Sequence, residues 1–132
     1  MENIIITVSL VIAIILISIW FIFHITQNTV SNQNINFLTL NTFSNYYQLS
    51  CNAEKMDVEN IHISANPRTQ LTVEGPLVCI ESKNILKFCK LILCDDETIL
   101  NFNETFNLNK DNFFTFFKKN ESGDMEYEIT FN

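Results

Sequence analysis

The chain has 132 residues, of which 15 are acidic and 8 are basic, so its formal net charge is −7. The basic residues do not cluster beyond the pair Lys118–Lys119, and without a basic stripe to contact a phosphate backbone, nucleic acid is not an expected partner. The same acidity argues against docking on an anionic lipid surface and is ordinary for a solvated outer domain.

The first element is an apolar run of 22 residues, Ile4–Ile25, that contains no charged side chain. A helix of this length is about 33 Å long, which exceeds the hydrocarbon thickness of about 30 Å in a typical bilayer. Trp20, Phe21 and Phe23 lie near its distal end, where an aromatic belt is expected. We therefore predict a transmembrane anchor over residues 1–26 that contacts the lipid bilayer through residues 4–25.

A cleaved signal peptide is the alternative interpretation of this run. Such a peptide has basic residues at its start, an apolar core of about 7–15 residues and a small-x-small cleavage site. Met1–Glu2–Asn3 contains no Lys or Arg, the apolar run is longer, and the nearest cleavage candidate, Thr29–Val30–Ser31, is poor. A retained anchor is favoured, and a secreted, disulfide-stabilised effector is the alternative function.

A polar segment separates the anchor from the rest of the chain. Residues 27–36 read QNTVSNQNIN and are predicted to form a short stalk, and residues 37–132 are predicted to form one small outer domain with a single modest core. The domain begins with apolar residues spaced three or four apart, which predicts one face of a short helix. These residues are Phe37, Leu40, Phe43 and Tyr47.

The middle of the domain contains three predicted strands and one predicted helix. The strands are IHIS around Ile61, QLTVEG around Leu71, and LVCIE after the Gly75–Pro76 turn. The segment SKNILKFCKLILC, residues 82–94, is predicted to be a helix with Ser82 as its N-cap. Its apolar face would contain Ile85, Phe88, Cys89 and Ile92.

The last third of the chain alternates apolar and polar residues, the pattern of half-buried strands. The apolar positions are Leu100, Phe102, Phe106 and Leu108 in one segment, and Met125, Tyr127, Ile129 and Phe131 in the other. Residues 120–123, Asn-Glu-Ser-Gly, are predicted to be a hairpin loop. The predicted fold class is α+β: a single N-terminal transmembrane helix followed by a small disulfide-bearing domain with an antiparallel sheet.

All four cysteines follow the anchor. An even number in a small exported domain predicts two disulfides, and this places the N-terminus inside and the domain outside. The sequence has no CxxC motif, which argues against a zinc site, and free buried thiols are the remaining alternative to disulfides. The sequence leaves three pairings open, and we favour Cys51–Cys79 with Cys89–Cys94.

We expect no catalytic residues, no cofactor-binding site, no metal site and no small-molecule substrate. His62, between two strand isoleucines, is interpreted as a solvent-facing residue rather than as the base of a Cys–His pair. Residues 95–97, Asp-Asp-Glu, lack the spaced oxygens of a calcium loop and are predicted to be a solvated turn. The chain is therefore not expected to be an enzyme.

One segment is a candidate interface. Four phenylalanines on one strand cannot all point the same way, so one face is exposed unless another element covers it. They are Phe113, Phe114, Phe116 and Phe117. The competing interpretation, which we favour at this point, is a central strand buried on both faces.

Two glycosylation sequons start at Asn103 and Asn120, but triplets of this kind arise by chance in a chain with 18 Asn. Asn and Ile occur 18 times each, whereas Gly, Pro, Ala and Arg together supply 8 residues, a bias that indicates an A/T-rich genome.

The anchor, the stalk, the disulfide-bearing domain and this coding bias together resemble envelope proteins of large insect DNA viruses. The likeness is to the small anchored per os infectivity factors of baculoviruses and nudiviruses, and small anchored subunits of the poxvirus fusion complex are similar. It covers the whole chain as architecture, and the stretches NFLTLNTFSNYYQLSC and GPLVCIE contribute to it. The resemblance implies a virion envelope protein that acts as a non-catalytic subunit, with other envelope proteins as partners, when the virus enters its host cell.

Overall fold

The apolar run forms the first part of one long helix. The computed structural model describes residues 1–83, 85–121 and 123–132, without the side chains of residues 28, 29 and 85. Helix α1 spans Glu2–Asn52, and the first of two compact units, Met1–Asn32, consists of helix with its apolar side chains exposed. This helix is long and apolar enough to span a membrane.

Hydroxyl side chains within the apolar run hydrogen-bond to the helix backbone. Thr7 Oγ1 donates to the carbonyl oxygen of Asn3 at 2.7 Å, and Ser18 Oγ donates to that of Ile14 at 2.8 Å. A hydroxyl bonded in this way has its hydrogen satisfied without water. These residues therefore do not oppose insertion of the helix into a bilayer as strongly as their polarity implies.

The second compact unit, Gln33–Asn132, combines the end of α1 with two antiparallel sheets. The three-stranded sheet has the order β1-β6-β7 and the four-stranded sheet the order β4-β3-β2-β5, so the α+β prediction with an antiparallel architecture is confirmed. The elements after α1 are β1 Met56–Ser64, β2 Thr69–Glu74, β3 Leu77–Ser82, β4 Ile85–Leu91, α2 Glu97–Leu100, β5 Asn103–Leu108, β6 Asp111–Glu121 and β7 Asp124–Phe131.

The end of α1 contributes an apolar face to the core. Phe43 is fully buried, and its ring lies 6.0 Å from Phe106 of the four-stranded sheet and 5.2 Å from Phe114 of the three-stranded sheet. The predicted helix face is confirmed at Leu40, Phe43 and Tyr47 but is wrong at Phe37, which is 57% exposed. The preceding residue, Asn36, occupies the buried position, so the predicted stalk, residues 27–36, is helical and ends inside the domain.

The helix predicted over residues 82–94 is wrong, because Ile85–Leu91 forms strand β4 and residues 92–94 have no regular secondary structure. β4 pairs with β3, with Phe88 opposite the buried Ile80 and Cys89 opposite Cys79. A short apolar run fits a helix or a strand equally well by periodicity, and here the neighbouring strand decides the outcome. Asn84, in this predicted helix, and Ser122, in the predicted hairpin loop, lie outside the described residues.

The prediction of two disulfides is confirmed, but the favoured pairing is wrong. Cys51 at the end of α1 is bonded to Cys94, and Cys79 of β3 is bonded to Cys89 of β4. The second bond follows from the strand register, since these residues are directly opposite each other with their Cα atoms 4.0 Å apart. The prediction failed because it placed Cys89 on a helix.

The last third follows its alternating pattern closely. β7 pairs with β6 from Phe114↔Phe131 to Glu121↔Asp124, which confirms the predicted hairpin, although Asn120 and Glu121 belong to β6 and not to the loop. The strand predicted from Leu100 begins only at Asn103, because Asp96 caps the short helix α2 by accepting a hydrogen bond from the Thr98 amide at 3.0 Å.

Candidate interaction surfaces

Strand β6 carries the four predicted interface phenylalanines and divides them between its two faces. Phe114 and Phe116 are fully buried and contact the α1 ring of Phe43, so they are core residues and not interface residues, which corrects the interface hypothesis for this pair. Phe113 is 44% exposed and Phe117 is half-buried. The strand is therefore buried on one face, not on both.

The exposed side of β6 forms a surface that we call the outer Phe face, defined by Phe113, Phe117, Asp57 and Glu128. Phe117 lies between Asp57 of β1 and Glu128 of β7, each directly opposite it in the strand register. The Phe113 ring lies 5.2 Å from that of His62, and His62 Nε2 lies 2.9 Å from Asp111 Oδ1. Aromatic rings flanked by carboxylates form a surface with apolar and acidic character.

A second apolar surface lies at β4, where the sequence had predicted a helix. Within the described residues β4 pairs only with β3, so its other edge lacks a neighbouring strand. Leu86, Leu91 and Leu93 are 75%, 65% and 79% exposed, and two lysines are also exposed, Lys83 in the turn before β4 and Lys87 on the strand itself. We call these five residues the leucine edge.

One end of the leucine edge is already capped by a side chain. Ile92 N donates to Pro76 O at 2.7 Å, on the β3 side, so the backbone of Leu93 faces away from β3. Gln48 Nε2 donates to Leu93 O at 2.6 Å, and Gln48 Oε1 accepts from Leu93 N at 3.1 Å. The Gln48 amide thus makes the two hydrogen bonds that a neighbouring strand would make at this position.

The opposite charge pattern occurs on β7, one of the two edge strands of the three-stranded sheet. Glu126 and Glu128 are exposed. Tyr127, which lies between them in the sequence, is half-buried, and Ile129, which follows Glu128, is buried. Glu128 is opposite Phe117, so these carboxylates lie on the side of the outer Phe face. We call Glu126 and Glu128 the acidic edge.

Lys118 and Asp96 form an ion pair inside the domain. Lys118 Nζ lies 2.8 Å from Asp96 Oδ2, and the two side chains are 3% and 13% exposed. The ammonium group also donates to Ser50 O at 2.9 Å and to Cys51 O at 3.4 Å, which satisfies carbonyl groups at the end of α1. The prediction of a solvated turn over residues 95–97 is therefore wrong at Asp96.

The electrostatics of this interior pair favour the ionised carboxylate. Burial opposes ionisation of Asp96, but hydrogen bonds from Lys118 and the Thr98 amide, together with the Lys118 charge, outweigh it and hold the pKa of Asp96 below its ordinary value. Nearby, burial raises the pKa of Tyr47 and of Tyr127 above the usual range. Their neutral hydroxyls make structural contacts, Tyr47 to Gly75 O at 2.8 Å and Tyr127 to Ser50 Oγ at 2.8 Å.

The described residues offer little reactive chemistry. All four cysteines are in disulfides, so the Cys–His pair considered for His62 has no thiol. No group of three or more His, Cys, Asp or Glu residues suited to hold a metal ion occurs within the described part of the chain. The two sequon asparagines, Asn103 and Asn120, are both exposed on strands, and Ser122 of the second sequon lies outside the described residues.

No family model, curated protein or solved structure matches this chain.

Proposed function

We propose that the protein is a membrane-anchored, non-catalytic interaction subunit. The observation that supports this role best is the combination of an uncharged helical run, Ile4–Ile25, with a small disulfide-bonded domain on the same chain. A domain held at a membrane acts on what its surface reaches, and this domain has exposed apolar surfaces at the outer Phe face and the leucine edge.

The proposed orientation has the N-terminus inside and the domain outside. Disulfides form and persist in oxidising compartments and are rare where glutathione keeps thiols reduced. Two disulfides after the anchor therefore favour export of the domain. The positive-inside rule gives no guidance, because the first basic residue, Lys55, is 30 positions beyond Ile25.

The finer proposal is a subunit of a virion envelope complex through which a virus enters its host cell. The support for it is the architecture shared with small anchored envelope proteins of large insect DNA viruses, together with the A/T-rich coding bias. The expected partners are other envelope proteins, which the domain would contact through its exposed surfaces.

Alkaline carbonate extraction and intact mass measurement test the anchor. We expect the full-length chain in the membrane pellet, with residues 1–31 present by mass spectrometry. Protease added to sealed vesicles should digest the domain only from the outer side. A soluble protein that lacks residues 1–31 would contradict the anchor and support a secreted effector.

The envelope proposal has a separate test. Enveloped particles purified from infected cells should contain the chain, and an antibody against residues 37–132 should label intact particles without detergent. Detection of the chain only in cellular membranes, with none in purified particles, would refute the virion assignment while leaving the anchor proposal standing.

A further inference from the structure

We propose that the domain associates with a second copy of itself by pairing the leucine edge of one copy with the acidic edge of the next. This inference rests on the proposed interaction role and names its first partner. It assigns a use to two edges that have no partner strand among the described residues and that carry opposite charges on exposed positions.

Exposed edge strands normally carry features that prevent pairing with other chains, and lysine is a common one. Lys83 and Lys87 at β4 fit that role against another β4, because like charges on neighbouring strands are destabilising. Protection of this kind does not account for three leucines that are each at least 65% exposed on the same edge. The lysines together with the exposed leucines disfavour the β4 of another copy as the partner. They fit a strand that offers carboxylates and apolar side chains.

Strand β7 offers that combination. Its exposed carboxylates, Glu126 and Glu128, disfavour pairing of β7 with another β7. Its inward residues, Tyr127 and Ile129, belong to the core or pack against it. Both edges therefore discourage pairing with an identical edge and are complementary to each other.

The two faces of each strand match in such a pairing. Phe88 of β4 is opposite the buried Ile80, so the neighbouring Lys87 lies on the outer face of its sheet. Glu128 of β7 is opposite Phe117 and lies on the outer face of the other sheet. Alignment of the outer faces brings Lys87 beside Glu126 or Glu128 and places Phe88 on the same side as Tyr127.

The backbone of β4 favours a strand over a lipid surface as the occupant. Alternate residues of an edge strand direct N–H and C=O groups outward, and burial of these groups in hydrocarbon without partners is unfavourable. Gln48 shows the chemistry that this side of the strand accepts, since its amide makes both hydrogen bonds to Leu93. A neighbouring strand would supply the same bonds at Leu91 and Cys89.

The contact joins different surfaces of the two copies, so one copy of a pair retains a free acidic edge and the other retains a free leucine edge. Contacts of this type form rings when the rotation between copies closes and open chains when it does not. The domain would therefore form assemblies larger than a dimer as its concentration rises.

Sedimentation velocity of the full-length protein in detergent tests the proposal. The wild-type chain should associate as its concentration rises, and high salt should weaken this association because the paired charges are screened. Glu126→Lys with Glu128→Lys, or Lys83→Glu with Lys87→Glu, should weaken it by roughly tenfold or more, since charge attraction becomes repulsion.

The decisive measurement mixes these two variants. Each alone has edges of like charge, whereas the mixture pairs Lys with Glu at both contacts, so association should return to the wild-type level. Glu74→Lys with Glu104→Lys, which reverses two exposed carboxylates on the four-stranded sheet away from β4, is the matched control and should associate like the wild type. Circular dichroism verifies that all variants are folded.

Three outcomes would overturn the proposal: a wild-type chain that is monomeric at every concentration, association that neither edge variant reduces, or a mixture that fails to recover. The first would leave a lipid surface or an unrelated acidic strand as the occupant of the leucine edge. None of these outcomes bears on carbonate extraction, so failure of self-association and failure of the anchor are distinguishable.

Discussion

Lys118 of β6 donates to Asp96, the N-cap of α2, and to two carbonyl groups at the end of α1, so one ammonium group joins three elements. Asp96→Asn would leave this ammonium buried without its counter-charge. Removal of one partner from a buried ion pair costs on the order of 3 kcal/mol. We expect a loss of that size in the free energy of unfolding, measured by urea denaturation of the full-length protein in detergent.

Two variants control for this result. Asp95→Asn changes the neighbouring exposed carboxylate and should have little effect. Lys118→Met combined with Asp96→Asn removes both charges and should be more stable than Asp96→Asn alone. Equal stability of Asp96→Asn and Asp95→Asn would show that the ion pair does not contribute.

The same carboxyl makes stability depend on pH. The pKa of Asp96 is lower in the folded protein than the unfolded value of about 3.9, so the unfolded chain binds its proton more tightly. The stabilisation is present above the unfolded pKa and is lost as the pH falls through the folded pKa. Urea denaturation across about pH 2–7, a range that includes the unfolded pKa of about 3.9, compares the unfolding free energies of the wild type and Asp96→Asn. The stability advantage of the wild type should shrink as the pH falls. A constant advantage over this range would contradict the assignment.

Substitutions on the two faces of β6 should have different costs. Phe116→Ala removes a fully buried ring that contacts Phe43 and should cost about 3–5 kcal/mol. Phe113→Ala, on the exposed face, should cost less than about 1 kcal/mol. Thermal unfolding followed by circular dichroism compares the two, and similar losses would refute the division of the strand into a core face and an outer face.

The two disulfides should contribute unequally to stability. Non-reducing peptide mapping should recover the pairs Cys51–Cys94 and Cys79–Cys89, which close separations of 43 and 10 residues. The chain-entropy model gives about 4 kcal/mol for the longer loop and about 3 kcal/mol for the shorter one. Replacement of Cys51 and Cys94 by Ala should therefore lower the unfolding free energy more than replacement of Cys79 and Cys89. Recovery of a Cys51–Cys79 peptide would contradict the fold.

The sequence predicts the features whose cause is local. The apolar run from Ile4 needs no partner to be recognised, and the alternation from Met125 to Phe131 identifies β7 because one side of that strand is buried and the other exposed. The helix prediction failed at residues 85–91 because their lysines and apolar residues fit the periodicity of a helix or of a strand. Only pairing with β3 makes this segment a strand. The prediction of a solvated turn failed at Asp96 because its ion-pair partner, Lys118, is 22 positions away and no sequence pattern connects them.

The bond between Cys79 and Cys89 also has a consequence for timing. Edge strands ordinarily fray, and a frayed β4 would not hold its exposed leucines, Leu86 and Leu91, in fixed positions. A covalent link from β4 to the central strand β3 restrains that opening for as long as the thiols are oxidised. If the domain is exported as proposed, newly made chains in a reducing compartment would lack this restraint, and the leucine edge would acquire its full order only after export. The redox state of the compartment would then determine when copies of the domain can associate through the proposed contact.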